Sequence, residues 1–208
     1  MRQIARRPYD PAQLVFEQSA PGHVSDRLMF AVYPTPPTAV CRIAPLAQRL
    51  RTQLSLRGKP IATERFHSTV HYLGDYAGLP PDLLANAREA GSAVKMKPFQ
   101  VTFDRAASFD TKPSNRPLVL RGGSGEKGGK GVEGLRNFHD ALGHAMQRVG
   151  LGRWALPQFT PHITLLYDDQ AVDEVPTEEV SWPVTEFVLV HSLLGGSSHV
   201  PLARWTLG

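Results

Sequence analysis

The chain has 208 residues, 41% of them hydrophobic and 20% charged, and its 23 Lys and Arg against 19 Asp and Glu leave a formal net charge of +4. That composition suits one ordinary domain, or one domain made of two lobes, and excludes a disordered or membrane-embedded chain. Cys41 is the sole cysteine, so an intramolecular disulfide and a thiolate metal cluster are both excluded, and the residue is expected to pack as a small apolar group.

Residues 1–25 carry Arg2, Arg6 and Arg7 among prolines and glutamines without a sustained period, and read as an appended, flexible extension to a domain spanning 26–208. No apolar run reaches membrane length and no secretory leader is visible, so the cytoplasm is the expected location. Leu28 to Tyr33 is an apolar run stopped by Pro34, Pro36 and Pro37, as in a buried strand that ends in a proline turn. Val40, Ile43, Leu46, Leu50 and Leu54 then recur at steps of three and four, which predicts an amphipathic helix closed by Gly58. From Arg42 to Arg65 the charges are Arg42, Arg49, Arg51, Arg57, Lys59 and Arg65, with Glu64 the only acid. Such a segment either attracts phosphate or forms a solvated helix face.

Phe66 to Leu73 is rich in β-branched and aromatic residues and predicts a strand, and Pro80-Pro81-Asp82 opens a second helix carrying Leu83, Leu84, Ala87, Ala90 and Val94. Phe99–Phe109 and Leu118–Leu120 predict two strands around a turn at Thr111–Asn115. Gly122–Gly131 is rich in glycine and lysine, but it lacks the Gly and Ser/Thr that a nucleotide-phosphate loop needs around Gly129 and Lys130. It reads as a mobile connection whose Lys127 and Lys130 could touch an RNA backbone. Val132, Leu135, Phe138, Leu142, Met146 and Val149 mark a third helix, with His139 and His144 expected at its surface or flank. A strand over Pro161–Tyr167, a long one over Val184–Leu194 and a short edge strand over Ala203–Leu207 complete the chain. An acidic cluster of Asp168, Asp169, Asp173, Glu174, Glu178 and Glu179 lies between the first two.

Two of these strands repeat a pattern. His67-Ser68-Thr69-Val70 and His162-Ile163-Thr164-Leu165 each place a histidine two residues before a threonine, and the copies stand 95 residues apart, as in two similar halves of one domain. Alternation puts each histidine and its threonine on one face, with His71 further along the face of His67 and with Tyr72 and Tyr167 pointing away. A His-x-x-x-His metal reading of His67 and His71 fails on a strand, where the two rings would lie about 13 Å apart.

The paired motif, with Arg27–Val32 before a helix and Phe159-Thr160-Pro161 before the second copy, resembles the two-histidine phosphoesterases, and within them the LigT-like group of 2',5' RNA ligases and RNA 2',3'-cyclic phosphodiesterases. The resemblance runs from Asp26 to the C-terminus. It implies a bilobal α+β fold with two antiparallel sheets forming a central cleft and helices packed outside. It also implies hydrolysis of a terminal 2',3'-cyclic phosphate to a 2'-phosphate, with a reversible 2',5' RNA ligase activity as a possible second reaction. His162 would be the general base and His67 the general acid, since imidazole, with a pKa of about 6.5, serves both tasks near neutrality. Thr69 and Thr164 would donate to the nonbridging oxygens of the transition state. His71, Arg65 and Arg121 are candidate substrate contacts, the arginines because many LigT-like proteins carry an arginine where this chain has Tyr167. Phe30 and Phe159 could stack a base, but core packing is the expected use of each. No metal and no cofactor is required. The expected partner is an RNA or nucleotide ending in a 2',3'-cyclic phosphate, the expected state a monomer, and no membrane is involved. A phosphodiesterase for a small cyclic nucleotide or an oligonucleotide 3' end, and a catalytically idle RNA-binding domain, are the alternatives.

Overall fold

The computed structural model describes residues 24–123, 131–195 and 198–208. The expected N-terminal extension, apart from residues 24 and 25, and the lysines of the glycine-rich connection lie outside the described residues. Two four-stranded antiparallel sheets organise the chain. In the first the order is β2 (Ser68–Tyr76), β1 (Asp26–Val32), β7 (Glu186–Leu193), β8 (His199–Thr206); in the second it is β5 (His162–Asp168), β4 (Arg116–Arg121), β3 (Phe99–Ser108), β6 (Val175–Val184). Each sheet therefore carries one motif strand at its outer position. β1 reads as a continuous apolar run because it is central, paired on both sides and covered on both faces, with Leu28 to Val32 at most 3% exposed.

Apolar side chains from both sheets share one continuous core, including Phe30 and Phe187 of the first sheet and Phe103, Leu120 and Ile163 of the second. The helices α1 (Pro36–Thr38), α2 (Ala44–Gln53), α3 (Pro81–Ala93) and α4 (Glu133–Arg148) belong to the same body. α3 packs on β7 and β8 and α4 on β3, while α1 and α2, which follow a strand of the first sheet, pack on β6 and β5 of the second. That crossing ties the two lobes together. A smaller apolar cluster of Met29, Ala31, Val188 and Val190, with Tyr33 against it, occupies the other face of the first sheet and faces the cleft.

Several expectations are corrected by the structure. A π-helical segment, Ala39–Ile43, joins α1 to α2 and rotates the early stripe, so that Ala39 and Ile43 are buried while Val40 is 55% exposed and Cys41 faces solvent rather than the core. β6 forms within the acidic stretch, where no strand was predicted: Val180, Trp182 and Val184 alternate inward between outward polar residues. The C-terminal strand is at the edge of its sheet, as expected, but is a full eight residues paired with β7 rather than a short one. His139 is buried, not at the surface, and Phe159 stacks on it at 4.5 Å between ring centres. The charge asymmetry of the sequence also resolves within the molecule. Arg49 pairs with Glu178, Arg57 with Asp169 at 3.0 Å, and Arg42 donates to the carbonyl of Glu179 at 2.8 Å. The basic helix thus meets the acidic cluster rather than a free phosphate surface.

Candidate active site

Both motif strands deviate from strict alternation at the same place. In β2 the partners of Phe30 and Ala31 are His71 and Thr69, so Val70 is an extra residue; in β5 the partners of Leu118 and Val119 are Leu166 and Thr164, so Leu165 is extra. A bulge directly after the threonine reverses the faces of the residues that follow, in β2 as far as a second irregularity at Leu73. The result is one burial pattern written twice. Val70 and His71 are both buried, as are Leu165 and Leu166, and the tyrosine five residues after each histidine, Tyr72 and Tyr167, turns to the side of its histidine and threonine.

These residues meet in one cavity of about 240 Å³ lined by His67, Thr69 and Tyr72 from one motif and His162, Thr164 and Tyr167 from the other. The convergence expected of His67, Thr69, His162 and Thr164 is therefore present. Tyr72 and Tyr167, expected to point away, are in the wall because of the bulges. His71, a candidate substrate contact weighed against a structural role, is 3% exposed behind the groove, where its Nε2–H donates to the carbonyl of His139 at 2.9 Å and its ring stacks on that of His139 at 4.2 Å. Arg65 lines the cavity. Arg121 lies opposite His162 in the β4–β5 ladder, but its guanidinium is paired with Glu174 at 3.5 Å, outside the cavity lining.

The two histidines are held identically. His67 Nδ1–H donates to the carbonyl of Arg65 and His162 Nδ1–H to that of Thr160, each at 2.7 Å and each two residues back in the chain. Because a carbonyl can only accept, Nδ1 carries a proton in each ring, and Nε2 is the nitrogen that can take up or deliver another. Each ring also has an aromatic edge against it: His199 packs on His67 at 4.9 Å and Phe109 on His162 at 4.8 Å, both nearly perpendicular. Burial pushes the His67 pKa down to about 3, helped by His199, His162 and Arg65 and opposed by the Arg65 carbonyl, so the ring is neutral in the free protein.

Further wall residues were not anticipated as site groups. Arg27 is held by Asp75 through two hydrogen bonds, at 2.8 and 2.9 Å, and lies over the Tyr72 ring at 5.3 Å. It brings a fixed cation to the cavity lining. His199 also lines the cavity and, with Tyr33, walls a second, larger cavity of about 590 Å³ whose other side is formed by Pro34, Pro36, Val40 and Pro201. For Tyr33 a signal existed in the sequence: it follows Met29 and Ala31 at a period of two. His199 comes from a terminal strand with no motif around it.

The profile of the 2'-5' RNA ligase superfamily matches residues 36–196 of this sequence. The chain belongs to that superfamily. Over 154 residues, 72% of this chain and 80% of the relative, it is 28% identical to the RNA 2',3'-cyclic phosphodiesterase of Escherichia coli strain K12. The crystal structure of E. coli LigT in its apo form superposes with a TM-score of 0.62 at 27% identity, covering 88% of this chain and 98% of the other. A Thermus thermophilus protein superposes at 0.66 with 22% identity, covering 87% and 97% of the two chains, a likeness of fold. The superfamily assignment and the LigT likeness agree with the α+β architecture of two antiparallel sheets, and with a phosphodiesterase class of enzyme.

In this member of the superfamily the buried His71–His139 stack is expected to make stability acid-sensitive. Burial, together with the neighbouring His139, lowers the His71 pKa to about 4, and burial lowers that of His139 as well. An unfolded chain takes up these protons first, near pH 6.5, so stability present in full above that value is lost as pH falls toward 4. The loss from His71 alone is roughly 3 kcal/mol. Thermal melts between pH 7 and 4 should show a steeper fall for the parent protein than for His71→Leu, which starts lower at pH 7 but has one titration fewer. Parallel slopes would refute this account.

Proposed function

We propose that the protein is an RNA 2',3'-cyclic phosphodiesterase that opens the terminal cyclic phosphate to a 2'-phosphate by general acid and base catalysis, with 2',5' ligation as the same ring opening carried out by a 5'-hydroxyl in place of water. The observation that carries this reading is the matched pair of imidazoles, each fixed through Nδ1 and each facing one cavity beside its threonine. Water adds to phosphorus as His162 Nε2 takes its proton, and the bond from phosphorus to O3' breaks as His67 Nε2–H protonates the leaving oxygen. Ligation puts a 5'-hydroxyl in place of water and keeps the two roles, and cleavage of the resulting 2',5' linkage, its reverse, exchanges them. Thr69 and Thr164 hydroxyls, with the Arg27 and Arg65 guanidiniums, offer donors to the nonbridging oxygens. Crystal structures of E. coli LigT are described with phosphate and with 3'-AMP. The larger cavity beyond His199 leaves space for a nucleoside next to a phosphate in the cleft.

Each part is open to test. A short RNA ending in a 2',3'-cyclic phosphate, incubated with the protein and a chelator, should yield the 2'-phosphate alone. A 3'-phosphate product, or turnover that the chelator abolishes, contradicts the mechanism.

The low pKa of His67 adds a second expectation. A general acid must carry a proton, and the free ring does not. A bound phosphate anion offsets the cations around it and favours the imidazolium. Binding of inorganic phosphate should therefore take up protons, increasingly as pH falls from 7 toward 5. Calorimetry in two buffers of different ionisation enthalpy reads this directly, and equal heats in both would remove His67 from the acid role.

A further inference from the structure

We propose that His199 is a third imidazole of the cleft, held by Tyr33 as the Nε2–H tautomer so that it donates a hydrogen bond to a phosphate oxygen of the substrate. The ring lines the cavity that holds His67 and His162 and stands 4.9 Å from His67, edge to face, which places it within reach of any phosphate that His67 touches. Its Nδ1 lies 3.0 Å from the Tyr33 hydroxyl. That nitrogen is the hydroxyl's hydrogen-bond partner among the described residues, and a phenol in an apolar wall donates to the acceptor it has. Nδ1 is then the accepting nitrogen, the proton sits on Nε2, and no protein group among the described residues takes that N–H.

The charge states agree with this direction. Burial raises the Tyr33 pKa to about 12, so the hydroxyl keeps its proton, and burial with Arg65 and Arg27 lowers that of His199 to about 4, so the ring is neutral. Neutrality matters here. His67 has to become cationic beside a bound phosphate, and a second imidazolium 4.9 Å away would oppose it. A neutral donor gives the phosphate a hydrogen bond without that repulsion. The tautomers divide the work: His67 and His162, bonded through Nδ1–H, present a titrating Nε2, whereas His199, bonded through an accepting Nδ1, presents a fixed donor.

The part concerning substrate rests on the proposed reaction, so the experiment separates the two. In two-bond proton–nitrogen spectra of the full-length labelled protein at pH 7, His199 should show the Nε2–H pattern and His67 and His162 the Nδ1–H pattern. Inorganic phosphate should shift the His199 Nε2–H proton, and Tyr33→Phe should release the ring to a mixture of tautomers. In the RNA assay His199→Ala should lower kcat/KM about ten- to a hundred-fold. His199→Gln, whose amide N–H can stand in for Nε2–H, should recover part of that loss. An Nδ1–H tautomer at His199, or a ring signal that phosphate leaves unmoved, overturns the inference. Failure of the parent protein to turn over a cyclic phosphate would instead reject the proposed reaction, with the tautomer and phosphate measurements still deciding the role of His199.

Discussion

Alanine at His67 or at His162 is expected to lower kcat/KM on an RNA 2',3'-cyclic phosphate by about two to four orders of magnitude, with the effect falling on kcat. The double variant should be little worse than the poorer single one, because an acid and a base serving one displacement fail together. KM should move less than kcat: His67 is neutral in the free protein and joins the grip on phosphate only by taking up a proton, so most of the ground-state binding falls to Arg27, Arg65 and the two threonines. Initial rates on end-labelled RNA in chelator, with phosphate binding followed in parallel, give both numbers. Variants that keep phosphate binding but lose turnover support catalysis, and turnover that survives both substitutions would leave an idle RNA-binding domain as the better description. Thr69→Val and Thr164→Val should each cost about ten-fold, the scale of one neutral hydrogen bond to an oxyanion.

The convergence of the two motifs on one cavity was legible because the pattern is written twice. A histidine and a threonine at a spacing of two require only that each segment be extended up to the threonine, and β5 begins at His162 while β2 begins at Ser68, directly after His67. Beyond the threonine the alternation argument failed in both copies, and for one cause. The bulges at Val70 and Leu165 add a residue that leaves no mark in composition, since a β-branched or aliphatic residue suits a bulge as well as a regular ladder. His71 therefore went to the buried side, and Tyr72 and Tyr167 came to the cleft. Here Tyr72 carries Arg27 on its face, so one cation reaches the cavity from β1 rather than from the motif strand.

Charge was the least legible property. Along the chain, the arginines before His67 resemble a phosphate surface and the acids after Tyr167 an unrelated acidic loop. In space Arg42, Arg49 and Arg57 meet those acids in exposed pairs that each contribute little, while Arg65 turns to the cavity. His199 was invisible for a different reason. Its role depends on Tyr33, 166 residues away, and long-range pairs between single residues carry no local pattern.

Gly58→Ala is expected to be the most destabilising small change in the connector that runs from α2 to His67. Residues 58–61 lie along the free edge of β5: Ile61 N donates to the Leu165 carbonyl at 2.8 Å, and Pro60 bridges to Leu166. Gly58 itself is pinned on both sides, with its N–H donating to Asp168 at 2.6 Å and its carbonyl accepting from Arg51 Nε at 2.9 Å. A methyl group there would overlap the Tyr167 carbonyl oxygen and lie 2.9 Å from its carbon. Backbone atoms have no rotamer by which to give way, so relief must come from parting the connector and β5. A loss of about 3 kcal/mol, seen as a fall of roughly 10 °C in thermal midpoint, is the expected outcome. Because the same separation moves Tyr167 and the approach to His67, kcat should fall as well in the fraction that remains folded. A stable Gly58→Ala variant with unchanged kcat would mean that the connector does not set the distance between the two motif strands.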